Sequence, residues 1–190
     1  MSDVYLETER MVLKKIQTGD AEKFFELNSD PEVMKYISGG EPTPMEECEA
    51  IWQRVSALYE RYNDKFGTWM AHLKSTDETV GFFILRPDKL KPDTVENPEL
   101  GYRLYRKHWG KGYATEGSQA LVDKAFEFLD CDSVYAVSMT ENQASQKIMK
   151  KVGMKFIGEY KQDECCAPGG DTAAVEYKIT KEEWTDENKN

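Results

Sequence analysis

Glu99-Leu-Gly-Tyr-Arg-Leu-Tyr-Arg-Lys-His-Trp-Gly-Lys-Gly-Tyr-Ala-Thr-Glu116 is the stretch that decides the fold. Leu100, Tyr102 and Leu104 alternate with Gly101, Arg103 and Tyr105, the period of two that suits a strand. Gly110 and Gly112 then break the chain. From Tyr113 the period changes, and Ala114, Gly117, Leu121, Ala125 and Phe128 recur at the spacing of one helix face. Backbone N–H groups at a glycine-flanked helix N-terminus point at one spot and carry roughly half a positive charge between them. The stretch is therefore expected to grip the phosphate of a small molecule.

Working outward, strands are expected over Arg10–Lys15, Thr68–Leu73, Thr79–Leu85, Ser133–Met139, Lys155–Lys161 and Ala173–Ile179. A helix over Ala21–Asn28 follows Thr18-Gly-Asp20, and Pro31 restarts it at a first-turn position where its missing N–H costs nothing. A longer helix, capped by Thr43 or the residue after it, runs to about Asn63 with Cys48, Ile51, Val55, Leu58 and Tyr62 on its apolar face. Asn142 caps a helix that ends near Val152, with Gly153 in the left-handed position beyond it. Arg86–Asn97 reads as an extended connection, Cys165-Cys-Ala-Pro-Gly-Gly170 as part of a loop, and Lys181–Asn190 as a polar tail that frays. Antiparallel runs with helices between them define an α+β class, and two strand–helix–strand crossovers after Glu99 make part of the sheet parallel.

The 190 residues are enough for one domain with a core that needs no disulfides. The net charge of −10 argues against nucleic acid and anionic membranes as partners, because both demand a basic footprint. It suits a cationic substrate, although it serves solubility equally well. No run approaches the ~20 apolar residues that cross a bilayer, and no secretory signal opens the chain. The four cysteines show no metal-ligand spacing, so reduced thiols, a cytoplasmic setting and no metal are expected.

Lys107-His-Trp-Gly110-Lys-Gly112 resembles the Gln/Arg-x-x-Gly-x-Gly/Ala pyrophosphate loop of the GNAT superfamily of acyl-CoA-dependent N-acetyltransferases, with Lys in the first position. Trp109-Gly-Lys-Gly-Tyr-Ala-Thr-Glu116 is similar to the form favoured by the ribosomal-protein N-terminal acetyltransferase branch. Asn142-Gln-Ala-Ser145 followed by Lys151-Val-Gly-Met154, and Thr8-Glu-Arg-Met-Val-Leu13, resemble that branch's second cofactor segment and its opening strand. The resemblance spans roughly residues 8–180. It implies a single GNAT-like domain, a mixed and mostly antiparallel sheet splayed between its central strands, and helices on both faces. It implies acetyl-CoA as cosubstrate and an amine acceptor, either a peptide or protein N-terminus or a small cationic amine such as a polyamine. A CoA-binding module without turnover is the rival from another class, and a homodimer is compatible with the resemblance.

An amine attacks a thioester only when neutral, and the amines in question have pKa values of roughly 8 to 10.4. The site must accept a proton, hold the reactants in line and receive the leaving thiolate. By resemblance Glu99 matches the acidic residue of the Glu-Leu-Gly-Tyr segment, and as the candidate base it would relay the proton through water, against the competing reading of a surface carboxylate that merely ends a strand. Ser145 is implied as the hydrogen-bond donor to the sulfur. Many relatives use a Tyr four residues further on, but Met149 stands there and cannot donate. The competing reading of Ser145 is a helix serine bonding back to its cap. Asn142 caps its helix and by resemblance faces the pantetheine arm. Gly110, Lys111, Gly112, Tyr113 and Ala114 would offer backbone N–H groups to the pyrophosphate, beside Trp109, with Lys107 adding a charge. Tyr102 and Leu104 would offer main-chain groups to pantetheine. His72 is expected to be a satisfied strand histidine, His108 an exposed loop residue, and Trp52, Trp69 and Trp109 are expected to fill core.

Overall fold

The computed structural model describes residues 3–87, 94–161 and 173–187. Its eight strands are β1 (Val4–Glu7), β2 (Met11–Lys15), β3 (Gly67–Leu73), β4 (Thr79–Arg86), β5 (Glu99–Leu104), β6 (Ser133–Met139), β7 (Lys155–Lys161) and β8 (Ala173–Thr180). They form one sheet in the order β1-β2-β3-β4-β5-β6-β8-β7. The helices are α1 (Ala21–Ser29), α2 (Pro31–Met34), α3 (Met45–Arg61), α4 (Tyr113–Phe128), α5 (Gln143–Lys151) and α6 (Lys181–Glu187). The expected α+β sheet with helices on both faces is what forms.

The two faces are fixed by adjacent residues of β4, whose side chains point to opposite sides. Phe82 lies against Phe24 of α1, with ring centroids 4.9 Å apart. Phe83 points the other way, toward Gly117 of α4, where an added Cβ would fall 2.3 Å from its ring. α3 packs on α1, and α5 on α4. Sandwiched in this way, β3 is buried along nearly its whole length. Trp69, with no exposed surface, lies in its centre.

Only β5 and β6 run parallel, because α4 carries the chain back across the sheet between them. After α5 the chain passes beyond β6 to form the edge strand β7. β8 then returns between β6 and β7, antiparallel to both. The second crossover therefore creates no second parallel pair.

Four local readings are corrected. β1 precedes the strand read as the first, and Tyr5 stacks on Trp69 with centroids 3.8 Å apart. Of the two caps read for α3, Thr43 is not the one: the N-cap is the residue after it, Pro44, which offers no side-chain bond, and Glu46 and Glu47 stand in the first turn at the positive end. Its buried residues are Cys48, Val55 and Tyr59, of which Tyr59 was not expected. Lys181–Glu187, read as part of a polar tail, is a helix, because Trp184 packs on Phe126 and donates to Asp123 Oδ1 at 2.7 Å; the end read as frayed, 188–190, lies outside the described residues. The loop holding Cys165 and Cys166 lies outside the described residues. Among those residues, no helix is long and apolar enough to cross a membrane.

Candidate active site

The loop after β5 is built from a 3-10 turn at Arg106–His108, then Trp109, and then two left-handed glycines. Gly110 has φ +73° and Gly112 φ +85°, a backbone that side-chain-bearing residues resist. Gly112 is the N-cap of α4, and its carbonyl accepts the first helical bond from Glu116 N at 3.0 Å. The N–H groups of Tyr113 and Ala114 are thus left at a helix start, the place where an anion is stabilised. The two left-handed glycines carry no side chain that could block an anion approaching these N–H groups.

Side chains around this loop are placed less simply. Lys107 pairs with Glu78 on the β3–β4 turn, with Nζ 2.7 Å from Oε1. A phosphate would have to share that ammonium. Hydrogen bonding and charge from Lys107 hold the Glu78 carboxyl below its ordinary range. His108 is buried, not exposed, with Nε2 3.5 Å from Glu78 Oε1 and its ring edge-on to Tyr113. Desolvation lowers its pKa against the pull of Glu78. Trp109 is 47% exposed, so it does not fill core, and its indole N–H donates to Leu104 O at 2.9 Å. The Leu104 carbonyl offered to pantetheine is therefore already engaged.

β5 and β6 are paired only near their starts, at Glu99 and Tyr135, and Tyr135 N donates to Pro98 O at 3.1 Å. Beyond that point the strands part. The gap opens toward the C-terminal ends of both strands, beside the glycine loop and the start of α5. A sheet normally closes its hydrogen-bond ladder, so the gap exposes main-chain groups of β5 to whatever enters.

The structure brings Tyr102, Asn142 and Ser145 together on the α4–α5 face. Asn142 Oδ1 accepts from Ser145 N at 3.1 Å, the expected cap. Tyr102 Oη lies 3.0 Å from Ser145 Oγ and 3.1 Å from Ser145 O. Burial pushes the Tyr102 phenol up to about 12, against the lowering effect of Ser145, so it stays a donor throughout the neutral range. Sequence reasoning assigned Tyr102 only main-chain contacts and missed its hydroxyl.

Glu99 sits on the other face. It is opposite Arg86 in the β4–β5 register, and Arg86 Nε and Nη2 both reach its Oε2, at 2.8 and 2.7 Å. Both side chains are about three-quarters buried. Arg86 carried no signal in the sequence, since its role exists only through strand register. Glu99, at the paired position, and Ser145, bonded to Tyr102 in the unpaired part of β5, thus lie on opposite faces of the sheet. The geometry suits a thioester lying in the gap, with proton transfer on one side and sulfur on the other.

His72 is the satisfied strand histidine that was expected, buried with Nδ1 3.2 Å from Asp77 O. Among the described residues no cluster of His, Cys, Asp or Glu is arranged to hold a metal.

The family described as an acetyltransferase (GNAT) domain matches residues 10–155. The FsC-acetyl coenzyme A-N(2)-transacetylase of Aspergillus fumigatus is 33% identical over 190 residues, covering 94% of this chain and 77% of its own. A GNAT-family acetyltransferase from Bacillus anthracis shares the fold with a TM-score of 0.77 at 25% identity, over 93% of this chain and 98% of that one. RimL, a ribosomal-protein α-N-acetyltransferase solved with coenzyme A, does so with a TM-score of 0.77 at 16% identity, over 93% and 97%. The chain belongs to the GNAT acetyltransferase family. It is an acyltransferase that moves acetyl groups from acetyl-CoA to amines.

Proposed function

We propose that the chain transfers acetyl directly from acetyl-CoA to a primary amine entering over the α1–α3 face, with Glu99 and Ser145 acting across the β5–β6 gap. The observation that supports this reading is that Glu99 and Ser145 lie on opposite faces of the sheet where β5 and β6 cease to pair. Glu99 receives the amine proton through a water, and Arg86 fixes the carboxylate's orientation. The amine nitrogen bonds to the acetyl carbon as the carbon–sulfur bond breaks. Ser145, itself held by Tyr102, donates a hydrogen bond to the departing thiolate; the thiolate takes its proton from water, and Glu99 returns the amine's proton to solvent. No acyl-enzyme is needed.

The acceptor in this reading is a protein or peptide N-terminal amine, supported by the motifs around Trp109–Glu116 and Asn142–Met154. A second reading, a small-molecule amine, is favoured by the 33% identical relative named as an N(2)-transacetylase. The reading sets the reaction in a reducing, cytoplasmic compartment, in keeping with buried free thiols at Cys48 and Cys131.

The test is CoA release from acetyl-CoA with N-terminal peptides, polyamines and aminoglycosides as acceptors, for the wild type and Glu99→Gln. Turnover with peptides is expected, with kcat/KM about 10²-fold lower and its pH dependence altered in Glu99→Gln. Turnover confined to small amines selects the second reading. Stable retention of acetyl-CoA with no release to any amine overturns both, and an unchanged Glu99→Gln profile removes Glu99 from the proton relay.

A further inference from the structure

Arg10, in the β1–β2 turn, is joined to the cofactor loop by more bonds than any assigned role of the loop explains. Its Nη1 donates to Lys111 O at 2.9 Å. Its guanidinium carbon stands 4.4 Å from the centroid of the Tyr113 ring. Its Nε donates to Glu116 Oε2 at 2.6 Å, and its backbone N donates to Glu116 Oε1 at 2.8 Å. Thr8 Oγ1 donates to the same Oε1 at 2.6 Å. Burial of Glu116 would raise its pKa, but the bonds from Thr8 and Arg10 outweigh that and hold it below the usual carboxylate range.

Peptide geometry turns this hub into a statement about the loop. The Lys111–Gly112 bond is trans. In a trans peptide the C=O and the following N–H point in opposite directions. Arg10 holds the Lys111 carbonyl toward itself, so it turns the Gly112 N–H to the opposite side. The stacked Tyr113 ring fixes the next residue, and an added Cβ on Gly112 would stand 3.2 Å from Arg10 Nη2. Glu116, one turn into α4, would also place a bare negative charge near an incoming pyrophosphate. Arg10 cancels it.

We infer that Arg10, oriented by Glu116 and Thr8, is a positioning residue that aims the Gly112 N–H at the donor's pyrophosphate. Lysine cannot replace it, because one ammonium lacks the planar fork that reaches Glu116 and the Lys111 carbonyl together. The inference rests on the glycine loop holding the pyrophosphate.

The test is steady-state kinetics of Arg10→Met, Arg10→Lys and Gly112→Ala, with each variant's fold checked by thermal melting. Both Arg10 variants are expected to raise KM for acetyl-CoA about tenfold, while kcat and the amine KM stay within about twofold. A merely structural role would lower kcat through loss of active protein and leave KM alone. That pattern overturns the inference, as does wild-type behaviour of Arg10→Lys. If Gly112→Ala raises KM for acetyl-CoA and the Arg10 variants do not, Arg10 alone loses its role. If none of the three raises it, the assignment of the loop fails as well.

Discussion

At the scale of single residues, the site consists of pairs in which one member was legible and the other was not. Ser145 stood out through the resemblance of Asn142–Ser145 to the family's second cofactor segment. Tyr102, 43 positions away, supplies the hydroxyl that holds it. Glu99 stood out at the head of a strand, but Arg86 reaches it only because β4 and β5 pair in the register that sets the two opposite each other. Glu116 lay inside the quoted motif with no role, and its partner Arg10 is 106 positions distant. Local spacing records what a residue can do. Its partner depends on which strands end up side by side. The Tyr102 phenol tests this at one atom. Tyr102→Phe removes a buried hydrogen bond and is expected to cost about 0.5–1.5 kcal/mol, read as a lower urea midpoint at unchanged slope. If Tyr102 also holds Ser145 in its working position, kcat falls more than KM changes. A variant with wild-type midpoint and kcat would show that the bond contributes neither.

At the scale of elements, periodicity found the long helices and the paired strands and missed the pieces that depend on docking. β1 is four residues of mixed polarity, and α6 is a charged segment whose aromatic anchor is Trp184. Neither has a pattern of its own, because what holds each is made by distant residues, among them Tyr5 on Trp69 and Trp184 on Phe126. α4 shows a conflict between local and tertiary preference. Gly117 is a poor helix former, and alanine there gains about 1 kcal/mol of helix propensity. Yet an alanine Cβ would sit 2.3 Å from the Phe83 ring, which is buried against the sheet and cannot swing away. Overpacking of this kind costs about 1–3 kcal/mol. The larger effect decides, so Gly117→Ala is expected to lower the melting temperature. A rise would mean that the α4–β4 contact yields more easily than its packing implies.

At the scale of the whole molecule, the chain's two histidines, His72 and His108, make stability depend on pH in a calculable direction. Desolvation lowers the folded pKa of each below its ordinary value. The unfolded chain takes up protons near pH ~6.5 that the folded one refuses. The stability they contribute is therefore full above that pH and falls as pH drops through it. Asp77, Glu78 and Glu116 have carboxyls held below their ordinary range, so their effect comes at lower pH, where protonation breaks their pairs. Melting temperature is expected to fall between pH 7.5 and pH 5.5, and the fall is expected to flatten when both histidines are replaced by glutamine. A slope that survives the double replacement would assign the effect to other groups.

The sequence by itself determined the donor half of this protein: strand, glycine turn, helix and second capped helix are local features, written in spacing, backbone freedom and side-chain capping. Whether two such segments lie on one face of the sheet is a matter of how the strands are ordered, and only the tertiary structure decided it. The crossover through α4 sets β5 beside β6 and lets them part beyond Glu99. Because consecutive strand residues point to opposite faces, that one gap puts the carboxylate on one side and the hydroxyl on the other. The bonds that hold both in place, from Arg86 and Tyr102, and those that hold the loop, from Arg10, join residues that no local pattern connects.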